Sequence, residues 1–342
     1  MKKTLKVGII GLRFGRSVHL PSYRNNPNFE VVALCGRSQE RTATAAKEEG
    51  ILGAYDNINE MLENENLDIV SIATPPLHQP DIIKICAEKN IHVFFEKPLA
   101  INSNSAKEAL EASSNKIKSA VNFIFPEIPV WQKTKQLIST GKIGGLRHIT
   151  VNWHVETYAS KQGEHPWKLS RKNGGGVLLN FVSHTLYYLD WLAGEIVDAT
   201  CILDETEVDC DTRAVIHLKF KSGSTAAIVA SQNAHHGLGH DIFIAGEEGS
   251  IHLNNSQADY AKSFTGTAYI RENNQSIDLN ADTEKIDEAD GRIYCTKKII
   301  NRLADSISDG SPPVPGLTEA YNVQTILDAL IQSAKQGKAV SI

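Results

Sequence analysis

Cysteine is scarce in this chain and shows no pairing pattern. The 342 residues include five cysteines, an odd number, and none of them forms a C-x-x-C spacing. Disulfide frameworks and zinc sites use even or closely spaced sets, so we expect free thiols in a reducing cytoplasm. The histidines at 235, 236 and 240 do not suggest a metal site, because neighbouring residues of a strand point to opposite faces. The sequence therefore predicts no metal.

Long apolar runs and long basic runs are also missing. No apolar stretch reaches membrane-spanning length, and Lys6 and Gly8 interrupt any signal-peptide core after the first four residues. The formal net charge is −5, which together with the lack of a basic segment makes nucleic acid an unexpected partner. Internal repeats and low-complexity tracts are absent as well. The composition, 41% hydrophobic and 22% charged, is ordinary for a soluble globular protein, and the length predicts two domains.

Apolar runs alternate with helical patterns through the first third of the chain. This alternation predicts a parallel, doubly wound sheet of the Rossmann type in an α/β protein. We assign this dinucleotide-binding domain to residues 1–121. The predicted strands are 5–10, 29–35, 69–73, 93–95 and 118–122.

Beyond residue 122 consecutive strands joined by short turns dominate. This pattern predicts an α+β domain over 122–342, with a large, mostly antiparallel open sheet that carries helices on one face. The other face of that sheet could serve as a subunit interface. The segment 254–291 is polar with little periodicity, and we expect it to be the most mobile part of the domain.

A glycine-rich turn follows the first predicted strand. A strand, such a turn and a helix N-terminus together form a cradle for a pyrophosphate. The G-x-G-x-x-G fingerprint is imperfect here: Gly11 is its first glycine, Arg13 stands at the second position, and Gly15 comes one place before the third, which is Arg16. Arg13 either obstructs a cofactor or pairs with a phosphate, and we favour pairing. The predicted cofactor contacts of the first strand and turn are Gly8, Gly11, Leu12, Arg13 and Phe14.

The residues after the second strand indicate which nicotinamide cofactor is bound. An acidic residue at this point would hold the ribose 2′-hydroxyl of NAD, whereas Arg37 and Ser38 offer a cation and a hydroxyl that suit a 2′-phosphate. We therefore expect NADP in preference to NAD. Ser38 can equally cap the following helix, and both roles are compatible.

A lysine follows the buried strand 93–95. Ligands bind at the carboxyl ends of strands in an open α/β sheet, and partial desolvation there makes the pKa of Lys97 adjustable, as proton transfer requires. Glu96 can orient the ammonium, and Pro98 fixes the backbone that follows. The alternative is a solvated Glu-Lys pair at an ordinary strand end.

A second group of polar residues follows the glycines at 174–176. Asn180 and His184 are four residues apart, so they share one helix face and can address one substrate. Trp167, after Glu164-His165-Pro166, offers a ring for stacking on a sugar, although such a loop aromatic is equally often simple packing. The alternative for His184 is a structural histidine of the helix, with its hydrogen bonds made within the protein and no part in a site.

The Glu96-Lys97-Pro98 triplet and the preceding stretch Asp68–His78 resemble the glucose–fructose oxidoreductase and inositol dehydrogenase (Gfo/Idh/MocA) family. The resemblance implies that Lys97 is the acid/base and that the nicotinamide half lies along Thr74, Pro75, His78, Glu96 and Lys97. It further implies that residues 180 and 184 hold the reacting hydroxyl and relay its proton, the family having aspartate where this chain has Asn180. An asparagine can hydrogen-bond a hydroxyl but cannot accept its proton. The family also implies a homodimer or homotetramer.

These observations predict an NADP(H)- or NAD(H)-dependent oxidoreductase. Its substrate would be a carbohydrate-like alcohol or ketone, namely a sugar, a nucleotide-sugar or a cyclitol. The predicted catalytic residues are Lys97, His184 and Asn180, and the predicted substrate contacts add Trp167. The alternative is a non-enzymatic regulatory protein that binds a nucleotide or a sugar on the same fold, as the departures at Arg13 and Asn180 suggest.

Overall fold

The computed structural model describes residues 3–157, 160–161, 167–204, 209–259 and 261–342. The chain forms two compact units, one of residues 1–122 with 292–321 and the other of residues 123–291 with 322–342. The limits drawn from the sequence, 1–121 and 122–342, are continuous and do not include this return of the chain to the first unit.

The first unit contains one parallel sheet. Its strands are β1 (Leu5–Ile10), β2 (Phe29–Cys35), β3 (Gly53–Tyr55), β4 (Ile69–Ile72), β5 (His92–Phe95) and β6 (Ser119–Val121). They lie in the order β3-β2-β1-β4-β5-β6, and every neighbouring pair is parallel. This order confirms the predicted Rossmann-type sheet. It reverses direction between β1 and β4, where such folds bind their ligands at the carboxyl ends of the strands.

Helices connect these strands. A π-turn (Gly15–His19) continues directly into α1 (Leu20–Tyr23), and the others are α2 (Gln39–Glu48), α3 (Ile58–Asn64), α4 (Gln79–Glu88) and α5 (Ser103–Ser113). Three polar side chains accept hydrogen bonds from the first-turn amides of α2, α3 and α5, which satisfies donors that have no partner within a helix. These capping residues are Ser38, Asn57 and Asn102.

The second unit is built on a nine-stranded sheet. Its strands are β7 (Leu146–His154), β8 (Ile196–Asp204), β9 (Arg213–Phe220), β10 (Thr225–Ser231), β11 (Gly239–Gly246), β12 (Gly249–Asn255), β13 (Thr265–Ile270), β14 (Gln275–Asp278) and β15 (Val340–Ser341). The order is β14-β13-β12-β11-β7-β10-β9-β8-β15, and only the pair β7–β10 is parallel among these described strands. The predicted mostly antiparallel sheet is thus confirmed.

The remaining helices lie in the second half of the chain. They are α6 (Pro129–Ser139), α7 (Ser183–Ala193), α8 (Gly291–Asp309) and α9 (Leu317–Gln336). A second π-turn (Leu178–Val182) leads into α7, and short 3₁₀ turns cover Phe125–Glu127 and Arg171–Asn173.

Segment 254–291 contains two strands that the sequence pattern did not predict. Strands β13 and β14 pair there as an antiparallel hairpin, with Thr267 opposite Asp278 and Ile270 opposite Gln275. The inward positions of β13 include Gly266 and Ala268. Such small side chains give little hydrophobic alternation, which explains why the sequence pattern did not show the strand.

Helix α8 explains why the chain returns to the first unit. Its residues Ile299, Ile300 and Leu303 are fully buried in one hydrophobic cluster with Val7 and Phe94 of the parallel sheet. Burial of such side chains stabilises a fold by about 1.5–3 kcal/mol each. The helix is therefore an integral part of the core beneath the parallel sheet.

The two faces of the nine-stranded sheet differ in exposure. Side chains alternate inward and outward along β9, where Ile216 is buried and its neighbour Val215 is exposed. Four large apolar side chains on separate strands, Ile202, Val215, Phe243 and Tyr269, remain exposed on the outer face. The sheet therefore has one packed face and one face open to solvent or to a partner.

Candidate active site

The turn after β1 requires glycine at two positions. Gly11 has a φ of +109°, and a Cβ on it would lie 2.5 Å from the carbonyl oxygen of Ala73. A Cβ on Gly15 would lie 2.9 Å from Ile9. Gly15 thus permits the close helix–strand packing that the third glycine of the fingerprint normally provides.

The π-turn offsets the early position of Gly15. The amide of Leu20 donates to the carbonyl of Gly15, five residues back, so this turn holds one residue more than an α-turn. The segment between Gly11 and Gly15 is one residue shorter than the fingerprint prescribes. The two changes are equal and opposite in residue number, so we expect them to cancel at His19.

The other predicted residues of this region have different surroundings. Gly8 lies inside β1, where a Cβ would meet Leu67 and Met61, and its contact with a cofactor stays a prediction. Leu12 packs beside Gly36, and Phe14 lies under the guanidinium of Arg292 at 5.2 Å from the ring centre. Arg13 is exposed at the bend of the turn.

Two arginines lie after β2. Ser38 caps α2 by accepting the amide hydrogen of Arg41 at 3.4 Å. The side chains of Arg37 and Arg41 are exposed and form no ion pair within the described part of the chain. Arg16, by contrast, pairs with Glu48 and Glu49 at 2.8 and 2.6 Å. Arg41 was not predicted, although a second arginine one helical turn after Arg37 was visible in the sequence.

The turn between β4 and α4 has polar atoms that lack partners. Thr74 Oγ1 and Gln79 Oε1 are buried, and neither has a hydrogen-bond partner among the described residues. Gln79 is fixed because its Nε2 donates to the carbonyl of Pro98 at 2.7 Å. Pro75 is half-buried and His78 is exposed at the start of α4. Buried unpaired polar atoms indicate a missing ligand, and together with the Gly11 turn they fit a nicotinamide dinucleotide.

Lys97 follows β5 and is half-buried. The peptide between Lys97 and Pro98 is cis. Glu96 Oε1 accepts hydrogen bonds from His19 Nε2 at 3.0 Å and from Asn122 Nδ2 at 2.7 Å. Burial works to raise the pKa of Glu96, but the contributions of His19, Lys97 and Asn122 outweigh it and hold this pKa below its ordinary value. Glu96 is therefore an anchored carboxylate.

Asn180 lies in the π-turn of the second unit. Its Nδ2 donates to the carbonyl of Lys168 and to Oε1 of Gln232, both at 3.3 Å. Since both partners are acceptors, the amide nitrogen faces them, and Oδ1 is the acceptor that Asn180 offers elsewhere. Gln232, which is buried, was not predicted as a neighbour of the site.

The start of this helix is capped by a carboxylate. Asp211 Oδ2 accepts the amide hydrogen of Leu178 at 2.8 Å. Gly176 has a φ of +114°, and a Cβ there would lie 2.4 Å from Asp211 Oδ1, so the position admits only glycine. The glycines at 174–176 thus let the chain approach the carboxylate that orders the segment carrying Asn180.

His184 lies in α7 and is buried against aromatic rings. Phe125 meets the imidazole edge-on at 5.2 Å between ring centres, and Phe123 does so at 6.0 Å. Trp167 is half-buried with the Lys168 ammonium 5.6 Å from its ring centre. The preceding Glu164, His165 and Pro166 lie outside the described residues.

His235 and His236 lie in a turn and not in a strand as predicted, and their rings meet edge-on at 4.4 Å between centres. His240 is buried, stacks on Trp153 at 4.0 Å and lies 3.0 Å from the Tyr188 hydroxyl. Burial lowers the pKa of His240 to about 3, so it is neutral. His235 pairs instead with Glu156. In the described ranges no group of three or more His, Cys, Asp or Glu side chains could hold a metal ion.

A parallel sheet of this strand order, with a glycine turn at its switch point and a lysine after β5, is typical of nicotinamide-dependent oxidoreductases. The chain belongs to the Gfo/Idh/MocA oxidoreductase family. The family model for the NAD-binding Rossmann fold matches residues 5–122, and the model for the C-terminal alpha/beta domain matches residues 135–342. These matches confirm the predicted family, the enzyme class and a nicotinamide-binding first domain.

Relatives extend over nearly the whole chain. An uncharacterised oxidoreductase of Synechocystis is 27% identical over 99% of this chain and 96% of its own length. Levoglucosan dehydrogenase of Pseudarthrobacter phenanthrenivorans is 23% identical over 99% and 98%. The fold is also that of a levoglucosan dehydrogenase solved in complex with NADH and levoglucosan, with a TM-score of 0.89, 20% identity and 99% coverage of both chains.

None of the helices in the described ranges combines the length and the apolar character that a membrane-spanning segment needs.

Proposed function

We propose that this protein transfers a hydride between a nicotinamide cofactor and a carbohydrate-like alcohol or ketone, such as a sugar, a nucleotide-sugar or a cyclitol. The observation that carries the proposal is Lys97 at the carboxyl end of β5, beside the anchored carboxylate Glu96. The names of the relatives, which include inositol 2-dehydrogenase and levoglucosan dehydrogenase, support the substrate class. These names also favour an enzyme over the alternative of a non-enzymatic regulatory protein, which the departures at Arg13 and Asn180 suggested.

Each side chain then has a separate task. The cofactor, when bound, supplies or accepts the hydride. Lys97 takes the proton of the alcohol as the neutral amine during oxidation, and as the ammonium it gives a proton to the carbonyl oxygen during reduction. His184 and Asn180 hold the reacting hydroxyl, with Asn180 acting as a hydrogen-bond acceptor through Oδ1. Trp167 offers a ring to the apolar face of the substrate.

Replacement of Lys97 tests this assignment. Lys97→Met should reduce turnover by about two orders of magnitude or more and leave cofactor affinity within about threefold, because the change removes proton transfer and not the nucleotide cradle. Turnover is followed by nicotinamide absorbance on a panel of sugars, cyclitols and nucleotide-sugars, and affinity by calorimetry. Lys89→Met, at the exposed end of α4, is the matched control. Near-normal turnover of Lys97→Met would reject the assignment.

We further propose that NADP is preferred to NAD. Support comes from the exposed guanidinium groups of Arg37 and Arg41 and the hydroxyl of Ser38 at the end of β2. Arginine suits a 2′-phosphate because its planar fork binds phosphate oxygens in pairs. Arg13 is assigned to the pyrophosphate.

The preference is tested with both cofactors. Arg37→Ala and Arg41→Ala should each weaken NADPH binding by about tenfold or more and change NADH binding by less than about threefold, since a charge-assisted contact contributes roughly 1.5–3 kcal/mol. Calorimetric titration measures both affinities, and Arg147→Ala, exposed on β7, is the control. Tighter binding of NADH by the unaltered protein would overturn the preference.

Two further proposals concern the state of the protein. We propose a homodimer or homotetramer joined through the outer face of the nine-stranded sheet, where Ile202, Val215, Phe243 and Tyr269 are exposed. Exposed apolar patches of this kind mark interaction surfaces. We also propose a cytoplasmic location, which suits five cysteines that are all buried and form no disulfide.

A further inference from the structure

A buried polar chain lies behind Lys97 in the first unit. His19, in the π-turn, is fully buried and bonds on both sides of its ring. Its Nδ1 lies 2.8 Å from the hydroxyl of Ser71 on β4, and its Nε2 lies 3.0 Å from Glu96 Oε1. Because an ionised carboxylate only accepts, Nε2 is the donor to Glu96.

The second donor to Glu96 is also fixed. Thr296 of α8 donates its hydroxyl hydrogen to Asn122 Oδ1 at 3.2 Å. This contact turns the Asn122 amide so that Nδ2 points at Glu96, at 2.7 Å. The helix α8 thus reaches the carboxylate through Asn122, and the turn after β1 reaches it through His19.

Both hydrogen bonds end on the same oxygen of Glu96. Among the described residues no hydrogen bond is made to Oε2, and the Glu96 side chain is 14% exposed. A carboxylate in such a place needs donors to stay ionised, since burial favours the neutral acid. Two donors on Oε1 keep the carboxylate charged, and the charge of Lys97 is among those that act on it.

From this arrangement we infer that His19 and Asn122 are positioning residues for the lysine. They hold Glu96 as a fixed negative charge next to Lys97, and the charge stabilises the ammonium form of that lysine. The groups that face Glu96 are the His19 ring, the Asn122 amide and the Lys97 chain, with Ser71 and Thr296 behind them. The inference deepens the proposed function. It affects turnover only through the acid/base role proposed for Lys97, and in that respect it rests on the proposed function.

His19 is also held by aromatic rings. Phe94 of β5 lies 4.9 Å from its ring centre, and Phe14 of the glycine turn meets it edge-on at 5.6 Å. The same turn that would receive the pyrophosphate therefore packs on the residue that anchors Glu96. This links the nucleotide cradle to the lysine through one imidazole.

The pKa of Lys97 is the quantity that tests the inference. It is measured without substrate, by competitive labelling of amines with trinitrobenzenesulfonate across a pH series and mass spectrometry of the peptide that contains Lys97. Glu96→Gln removes the charge at constant size and should lower the pKa of Lys97 by about one unit. Glu88→Gln, exposed on α4, should leave it unchanged.

Two variants of His19 form a matched pair. Glutamine can place its amide nitrogen where Nε2 lies and keep the donor to Glu96, whereas asparagine is too short and reaches only towards Ser71. His19→Asn should therefore lower the pKa of Lys97, though by less than Glu96→Gln does. In His19→Gln the pKa of Lys97 should equal that of the unaltered protein. If His19→Asn does not fold, Asn122→Ala, which removes the other donor, is measured in its place with the same expected direction.

An unchanged pKa of Lys97 in folded Glu96→Gln would overturn the inference, and so would equal values in the two His19 variants. A purely structural role of His19 would change the melting temperature of both variants without moving the lysine. Because labelling uses no substrate, its outcome is independent of turnover. The proposed function itself stands or falls on the Lys97→Met experiment.

Discussion

Asn180 differs by one atom from the aspartate that the family resemblance implies, yet its neighbours suit only the amide. Its Nδ2 donates to the carbonyl of Lys168 and to Gln232 Oε1. Gln232 cannot reverse its own amide freely, because Nε2 donates to the backbone carbonyl of Asp211 and lies 3.8 Å from the sulfur of Cys210. A carboxylate at position 180 would therefore face two acceptors. The surroundings have adjusted to asparagine.

Replacement of this residue by aspartate gives a prediction at the residue scale. Asn180→Asp should lower the free energy of unfolding at pH 7 by about 1–3 kcal/mol, the cost of leaving acceptors without donors. The acceptors raise the pKa of the new carboxyl in the folded state, so its deficit should shrink as the pH falls towards 4 and the carboxyl becomes a donor. Urea unfolding at several pH values measures this.

The control for that experiment is Asn152→Asp. Asn152 lies half-buried on the outer face of β7 and carries the same change of charge away from Gln232. It lies opposite Asp241, so like-charge repulsion should lower the stability of this control modestly. A loss of stability in Asn180→Asp no larger than that in Asn152→Asp would show that the Gln232 amide reverses at little cost.

At the scale of the element, the sequence predicts where strands lie more readily than whether a helical turn has α or π hydrogen bonds. Apolar runs separated by helical patterns were sufficient to predict the parallel sheet. Neither π-turn was predictable, because a π-turn adds one residue without changing which residue types are apolar. His19 was missed for the same reason: its role depends on Ser71 and Glu96, which are distant in sequence. The one local feature of the sequence that could have indicated His19 is its place as a polar residue on the inward face of a helix, four positions after Gly15.

The π-turn after the glycine turn leads to a prediction about register. Insertion of a glycine between Leu12 and Arg13 restores the full G-x-G-x-x-G spacing, and deletion of the exposed Ser17 converts the π-turn into an α-turn. Each change alone rotates His19 by about 100° relative to the glycine turn or the helix. Each should therefore cost about 2–4 kcal/mol, because both hydrogen bonds of the imidazole are lost.

The combined variant should recover most of this loss. With both changes the imidazole returns between Ser71 and Glu96, and we expect the free energy of unfolding to lie within about 1 kcal/mol of the unaltered protein. Thermal and urea unfolding of the three variants measure the recovery, and NADPH titration reports whether the turn still binds. Additive losses in the combined variant would contradict the idea that the two irregularities compensate.

At the scale of the whole chain, the outer face of the nine-stranded sheet carries exposed apolar side chains on four strands. Val215 pairs with Ile202 across β8–β9 and with Val229 across β9–β10, so apolar side chains form a row over three strands. Phe243 and Tyr269 continue the exposed apolar surface on β11 and β13. A two-fold contact buries the same patch of both copies, which suits a flat open face of this kind.

Charged substitutions on this face give the last prediction. Val215→Glu with Phe243→Glu should convert an oligomer into a monomer at micromolar concentration, because two copies would bring four carboxylates together in an apolar contact. Sedimentation velocity measures the mass directly. Leu52→Glu is the matched control, since Leu52 is 100% exposed but lies in the first unit, and it should leave the mass unchanged. Retention of the oligomer by the double variant would place the interface elsewhere, and a monomeric unaltered protein would remove the proposed assembly altogether.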